Sequence, residues 1–204
     1  MIQAAGRSNA RKYANPNPVH QWLLRRFLER VASEVRWALE AMASPTLLDV
    51  GCGEGYVLRR LRKDWPTLGS QGMDGDREAL ALARTACPDT FFLQADAARL
   101  PFQSRSFDML TCLEVLEHLR EPGQVLAEMA RVSRKHLLLS VPNQPYFTLA
   151  NLLRGRNLRR LGEDPDHIHH WTASQFLALV RGQLSVMKLS YPFPWVLVLC
   201  HTKN

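Results

Sequence analysis

The stretch Leu47-Leu48-Asp49-Val50-Gly51-Cys52-Gly53-Glu54-Gly55-Tyr56 runs from apolar residues into three alternating glycines. It reads as a strand entering a glycine turn and then a helix, and glycine lets the backbone of such a turn come close to a ligand. In an open α/β sheet, the crevice at the carboxyl ends of the strands is where a nucleotide-like ligand lies. Spacing excludes two familiar versions. A dinucleotide fingerprint needs glycine at position 56, where this chain has Tyr56, and a phosphate-binding P-loop needs Gly-Lys-Ser/Thr. Asp74 closes the next apolar run, nineteen residues after Gly55, a position from which a carboxylate accepts both hydroxyls of a ribose. Asp96-Ala97 follows the third run. Asp76 reads as the N-cap of the helix carrying Leu80 and Leu82, which leaves Asp74 as the ribose candidate. Each feature alone has a plainer reading as a connecting turn or a cap. Three acids at consecutive strand ends, however, are not something a core requires.

Further along, Glu114-Val115-Leu116-Glu117-His118 leaves a fourth apolar run. A histidine there suits removal of a proton from a hydroxyl near neutral pH. The competing reading is a structural Glu117-His118 pair that holds the loop. In Asp166-His167-Ile168-His169-His170-Trp171 an extended backbone puts His167 and His169 on one face, and with Asp166 they approach a metal-ligand set. No second cluster completes that set, so no metal site is expected. A wall facing the substrate, or a Thr172 N-cap beside solvated histidines, are the other readings.

The elements that must position these residues follow from pattern. Asn17-Pro18 opens a helix, and Trp22, Leu23, Phe27, Val31, Val35, Ala38, Leu39 and Met42 recur at helical spacing over about six turns. Trp22, Phe27 and Trp37 read as core or cover. After Ser44-Pro45 the apolar runs 47–50, 72–74, 91–93, 107–110 and 137–141 alternate with helical stretches near 55–63, 76–86 and 122–134. Strands alternating with helices define an α/β class with a doubly wound, mostly parallel sheet. A helix near 173–181 and two apolar strands end the chain; these strands read as short, so a trimmed sheet edge is expected.

Composition bounds the partners. The chain has 204 residues, 46% hydrophobic and 22% charged, with apolar runs of only five or six residues, which excludes a transmembrane helix. Residues 1–18 are basic and polar with no secretory h-region, and Cys52, Cys87, Cys112 and Cys200 form no CxxC pair, so reduced thiols in the cytoplasm are expected. The net charge of +7 is uneven: residues 1–36 carry seven basic and two acidic side chains, whereas 37–153 carry twelve and fourteen. The excess lies at the ends, without the interleaved aromatic and basic stripe typical of a nucleic-acid groove. Arg154, Arg156, Arg159 and Arg160 read either as a solvated face or as partners of an anionic acceptor. The organisation expected is a mobile arm over 1–17, a covering helix over 18–43, a ligand-binding core over 46–143, an insertion over 144–171 and a final helix and strands over 172–204.

The ordered blocks Leu48 to Gly55, Gly72-Met73-Asp74, Asp96-Ala97 before Leu100-Pro101-Phe102, Ser106-Phe107-Asp108, Glu114 to Leu119, and Leu126 to Val132 leading into Ser140-Val141-Pro142-Asn143 resemble the class I S-adenosylmethionine-dependent methyltransferases, type 11 branch. The likeness spans about residues 46–143. It implies a seven-stranded Rossmann-like sheet with a reversed final hairpin and S-adenosylmethionine as cofactor, released as S-adenosylhomocysteine. By the same resemblance Asp49, Gly51, Cys52 and Gly53 line the methionyl end, Asp74 and Gly75 the ribose, Asp96 and Ala97 the adenine. Leu113 and Glu114 fall beside the sulfonium. His118 is the candidate base, with Glu114 beside it. Tyr13, His20, Tyr146, His167 and His170 fall on the acceptor side, where related Asp-His-Ile stretches form part of the wall. The reaction implied is in-line methyl transfer to a small-molecule acceptor. RNA methylation, kept alive by the basic ends, and a non-catalytic cofactor-binding protein are the alternatives.

Overall fold

The computed structural model describes residues 16–153 and 166–203. Tyr13 and Arg154 to Arg160, which carry the arm and Arg-segment expectations, lie outside the described residues.

Helix α1 (Pro18–Leu39) begins where the Asn17 side chain accepts hydrogen bonds from the backbone N–H groups of Val19 and His20, at 2.9 and 3.1 Å. Pro18 at the first turn has no N–H to leave unsatisfied, which suits that position. Strand β1 (Thr46–Val50), helix α2 (Tyr56–Asp64), β2 (Gly69–Asp74), α3 (Arg77–Ala86) and β3 (Phe91–Gln94) then alternate. Strand β4 (Phe107–Leu113), a one-turn 3-10 helix (Leu116–His118), α4 (Pro122–Val132), β5 (Ser133–Pro142) and α5 (Tyr146–Leu153) follow, and α6 (Ala173–Gln183), β6 (Leu184–Ser190) and β7 (Trp195–Thr202) complete the chain.

Among the described residues the sheet has seven strands in the order β3-β2-β1-β4-β5-β7-β6. The first five are parallel, and β7 runs antiparallel between β5 and β6. The expected trimming of the edge is not found: β6 has seven residues and β7 eight, and β7 pairs with β5 from Trp195 to His201. The final strand survives because its side chains alternate between two cores. Trp195, Leu197 and Leu199 join the buried cluster on the α1 face, whereas Val196, Val198 and Cys200 join the cluster on the face of α4 and α6. A period of two puts successive side chains on opposite faces, and both faces of this sheet are covered. Leu138 against Leu137 and Leu139 repeats the pattern in β5.

Phe27 is fully buried against Trp195 at 4.9 Å between ring centroids, which docks α1 onto β7. Trp22 and Trp37 differ from expectation. Both are about half exposed on the outer face of α1, with Arg26 over the first ring and Lys188 over the second. Their apolar bodies are covered by cationic side chains instead of by the core. Helix α6 is fastened by a capping box: Thr172 Oγ1 accepts from Gln175 N–H, and the Thr172 N–H donates to Gln175 Oε1 at 2.9 Å. Thr172→Ala is expected to cost about 1 kcal/mol, read as a lower urea midpoint with unchanged slope.

Candidate functional site

Strand order reverses between β1 and β4, so a crevice opens at their carboxyl ends, and the turn after β1 lies in it. Gly51, Gly53 and Gly55 adopt φ values of 75°, 51° and 77°, the left-handed region that side chains resist. This curls the turn back toward β2: the N–H groups of Gly51 and Cys52 both donate to the Met73 carbonyl, at 2.8 and 3.0 Å. Gly53 N–H donates to Asp74 Oδ2 at 2.8 Å, and Asp76 N–H to Asp74 Oδ1 at 2.9 Å. Asp74 is thus held in one orientation beside the glycine turn, with acceptor lone pairs left over, since a carboxylate offers about four. Asp76 caps α3 by accepting from Glu78 and Ala79 N–H, as its position in the sequence implies.

Asp49 is buried one strand residue before the turn and accepts a 2.6 Å hydrogen bond from the Thr111 hydroxyl of β4. Burial raises its pKa to about 7; the Thr111 bond opposes that rise and the charge of Asp74 adds to it. Asp74 is also raised, mainly by burial. Burial, with Asp49 and Asp74 nearby, pushes the Cys52 thiol far up, so it is an uncharged lining group and not a nucleophile.

On the other side of the crevice, Asp96 is exposed and its Oδ1 accepts from Ala98 N–H at 2.9 Å, while Ala97 turns inward and joins the core. Gly75 is exposed, its carbonyl accepting from Gln94 Nε2 at 3.0 Å. Leu113 ends β4, buried. Glu114, next in the chain, has φ of 60°, unusual for a side-chain-bearing residue, and its Oε1 accepts from Ser140 Oγ at 3.1 Å. That bend throws Val115 across the top of β1, where it covers Gly51.

The turn after Glu114 meets residues 166–171 through four hydrogen bonds. Ile168 and His169 N–H both donate to the Glu117 carbonyl at 2.9 and 3.0 Å, His169 Nε2 lies 2.9 Å from the Leu119 carbonyl, and His118 Nδ1 lies 2.8 Å from the Asp166 carbonyl. This clamp sets the His118 and His167 rings edge to face, 4.9 Å apart, with Glu117 buried beneath. The ligand set suggested by the sequence, Asp166 with His167 and His169, is not what forms. His169 points at Leu119 and stacks on Trp171, and the group that converges is Glu117, His118 and His167, from segments some fifty residues apart. His170 is exposed, 6.1 Å from the His167 ring; Tyr146 is about half exposed near Phe193; and His20 is buried on the inner stripe of α1. None of the last three joins the cluster.

A parallel α/β sheet with a reversed strand β7 and a glycine turn at its switch point defines a doubly wound ligand-binding class. Residues 48–139 match the family model described as a methyltransferase domain. The demethylmenaquinone methyltransferase of Thermotoga maritima is 34% identical over 107 residues, covering 50% of this chain and 47% of that protein. The small RNA 2'-O-methyltransferase of Arabidopsis thaliana is 30% identical over 172 residues, 72% of this chain and 18% of that one. The magnesium protoporphyrin IX methyltransferase of Synechocystis, solved with bound S-adenosylhomocysteine, superposes with a TM-score of 0.69 at 18% identity over 95% of this chain and 92% of that one, a likeness of fold. The chain is similar, in sequence over residues 48–139 and in fold, to the S-adenosylmethionine-dependent methyltransferases. It spans about half the length, or less, of the curated relatives it matches. Among the described residues no helix is long and apolar enough to cross a membrane.

Proposed function

We propose that the protein transfers the methyl group of S-adenosylmethionine to a small-molecule acceptor seated against the turn after β4 and residues 166–171. The observation that carries this reading is Asp74, whose carboxylate is oriented by the glycine turn itself through the 2.8 Å bond from Gly53 N–H. The donor set also fits the cofactor's charges. Two carboxylates, Asp49 and Asp74, share one crevice, and the ligand carries an ammonium and a sulfonium.

When bound, the cofactor supplies an electrophilic methyl group on sulfur. The protein's residues then bind and align. Asp49, Gly51, Cys52 and Gly53 hold the methionyl end, Asp74 and Gly75 the ribose, and Asp96 with the backbone of Ala97 the adenine edge. Leu113 excludes water beside the sulfur, and Glu114, fixed by Ser140, borders the acceptor. His118 presents Nε2 as a lone-pair nitrogen, because its Nδ1 sits 2.8 Å from a backbone carbonyl and so carries the proton. That lone pair is placed to take a proton from a hydroxyl acceptor. His167, His170 and Tyr146 contribute to the acceptor side, and His20 is assigned there by the resemblance alone. The small-molecule class draws support from the menaquinone and protoporphyrin relatives. Four buried, unpaired cysteines support a reducing compartment, the cytoplasm.

A second reading, methylation of an RNA hydroxyl, is favoured by one observation. The match to the small RNA enzyme extends over 172 residues, well beyond 48–139. RNA binding that weakens steeply with salt would favour it.

Calorimetric titration with S-adenosylhomocysteine tests the cofactor assignment. The wild type is expected to bind with micromolar affinity and Asp74→Ala roughly tenfold or more weaker, the loss typical of hydrogen bonds to a charged group. Absence of wild-type binding at millimolar ligand would sink the reading. Tight binding without methyl consumption across acceptors would leave a non-catalytic cofactor protein.

A further inference from the structure

The clamp between the β4 turn and residues 166–171 assembles a donor set that methyl transfer from sulfur does not itself require. Glu117, His118 and His167 present ligand atoms that all lie within 4.8 Å of one another. Glu117 is buried, and its Oε1 stands 4.0 Å from His118 Nε2. Metal–nitrogen and metal–oxygen bonds of about 2.0–2.2 Å put ligand atoms roughly 3–4 Å apart, so small side-chain rotations close this set around one ion. The backbone is already fixed by the hydrogen bonds to the Glu117 and Leu119 carbonyls.

The second shell is also in place. Metal-bound imidazoles usually donate their other N–H to a carbonyl or carboxylate, which fixes the tautomer and the ring plane. His118 does so toward the Asp166 carbonyl at 2.8 Å, leaving Nε2, the nitrogen nearest Glu117, as the ligand atom. The Phe147 ring, 5.5 Å from that of His167, shields one flank of the cluster.

We propose that Glu117, His118 and His167 bind one divalent first-row transition cation of the Mn2+, Co2+ or Zn2+ kind, leaving open coordination positions. Two imidazoles and one carboxylate suit these ions, whereas Mg2+ and Ca2+ favour all-oxygen sets. Three protein ligands with an open position are the arrangement of catalytic rather than structural sites. Resting on the methyltransferase reading, the site narrows the acceptor to a molecule with an oxygen that ligates the ion. Coordination acidifies the acceptor O–H, whose proton leaves to solvent water. An oxygen lone pair forms the bond to the methyl carbon while the carbon–sulfur bond breaks, its electron pair staying on sulfur. The products are a methyl ether and the neutral thioether. With the ion bound, His118 is a ligand, and acidification of the hydroxyl passes from imidazole to metal.

The test uses the full chain stripped with a chelator and titrated with MnCl2, followed by loss of the free-ion electron paramagnetic resonance signal. Titration with CoCl2 is followed by its visible ligand-field bands, and ZnCl2 is used in competition. Saturation at one ion per chain is expected, with binding at least about tenfold weaker in His118→Ala, His167→Ala and Glu117→Gln. S-adenosylhomocysteine affinity, measured on the same samples, is expected to stay unchanged and to report that each variant is folded. No saturable binding of any of the three ions at millimolar concentration would overturn the site, as would unaltered binding in all variants that still bind S-adenosylhomocysteine. A wild type that binds the ion but not the cofactor product would leave the cation site standing and remove the methyltransferase reading; the reverse result would do the opposite.

Discussion

Gly51→Ala is expected to destabilise the protein by roughly 2–5 kcal/mol and to abolish S-adenosylhomocysteine binding with it. Two independent costs add at this position. Gly51 sits at φ of 75°, where an L side chain costs about 1–2 kcal/mol. A Cβ there would also run into the side chain of Val115, overlapping Cγ2 and approaching Cγ1 to 3.0 Å. Overpacking of that kind costs typically about 1–3 kcal/mol. Val115 has little freedom to retreat, because the left-handed Glu114 and the Ser140 bond aim it. Relief would have to come from the glycine turn, which would then pull the Gly53 N–H away from Asp74. Thermal unfolding should register the change as a fall in Tm of roughly 5–15 °C for a domain of this size. The double variant Gly51→Ala/Val115→Ala separates the two costs: it should be more stable than the sum of the single changes implies, by the steric part alone. A Gly51→Ala protein within about 0.5 kcal/mol of wild type would show that neither strain nor contact operates there, and strict additivity with Val115→Ala would remove the contact while leaving the strain.

The glycine turn and its acids were legible in the sequence because one contiguous unit builds them. Leu47 to Val50 is a strand, the glycines must turn, and Asp74 ends the next strand, so geometry follows chain order. The caps at Asn17, Asp76 and Thr172 were legible for the same reason, each acting within three residues of itself. The cation cluster was not. Its two halves are joined by backbone hydrogen bonds onto the Glu117 carbonyl, and a carbonyl carries no signature of residue type. Spacing within residues 166–170 paired His167 with His169, but His169 is the residue that makes the clamp, and its nitrogen is engaged by the Leu119 carbonyl. The left-handed Glu114 was equally hidden, since nothing in a glutamate announces a positive φ. Strand β6 looked short because its polar residues interrupt the apolar run. In the sheet it is an edge strand: Ser185 is exposed, and Lys188 is accommodated by an ion pair to the buried Glu34 of α1 at 2.8 Å.

Affinity for S-adenosylhomocysteine is expected to rise with pH by roughly 100-fold between pH 5 and pH 7.5, and Asp49→Asn is expected to remove most of that rise. Burial holds the Asp49 carboxyl at a pKa of about 7 against an ordinary 3.8, with Thr111 donating to it and Asp74 repelling its charge. At pH 5 the free protein therefore carries this group protonated. The ligand's ammonium, placed against it in the proposed mode, requires the carboxylate, so binding must expel a proton. Each pH unit below 7 then costs about tenfold in affinity, and above 7 the curve flattens. The same group gives stability a definite sign. A folded pKa raised above the unfolded value contributes stability that is fully present below 3.8 and is lost as pH climbs through 7, a fall of roughly 4 kcal/mol from this group. Asp74, also raised, acts in the same sense, whereas His136, lowered to about 4 by burial, acts in the opposite one as it favours the neutral ring. Total stability against pH therefore mixes several groups, and the wild-type curve minus that of Asp49→Asn isolates Asp49. That difference should favour the asparagine variant increasingly from pH 4 to pH 7.5. Calorimetry in buffers of different ionisation enthalpy should count about one proton released per ligand at pH 6 in the wild type and nearly none in the variant. A pH-independent affinity in the wild type would place the ligand's ammonium elsewhere.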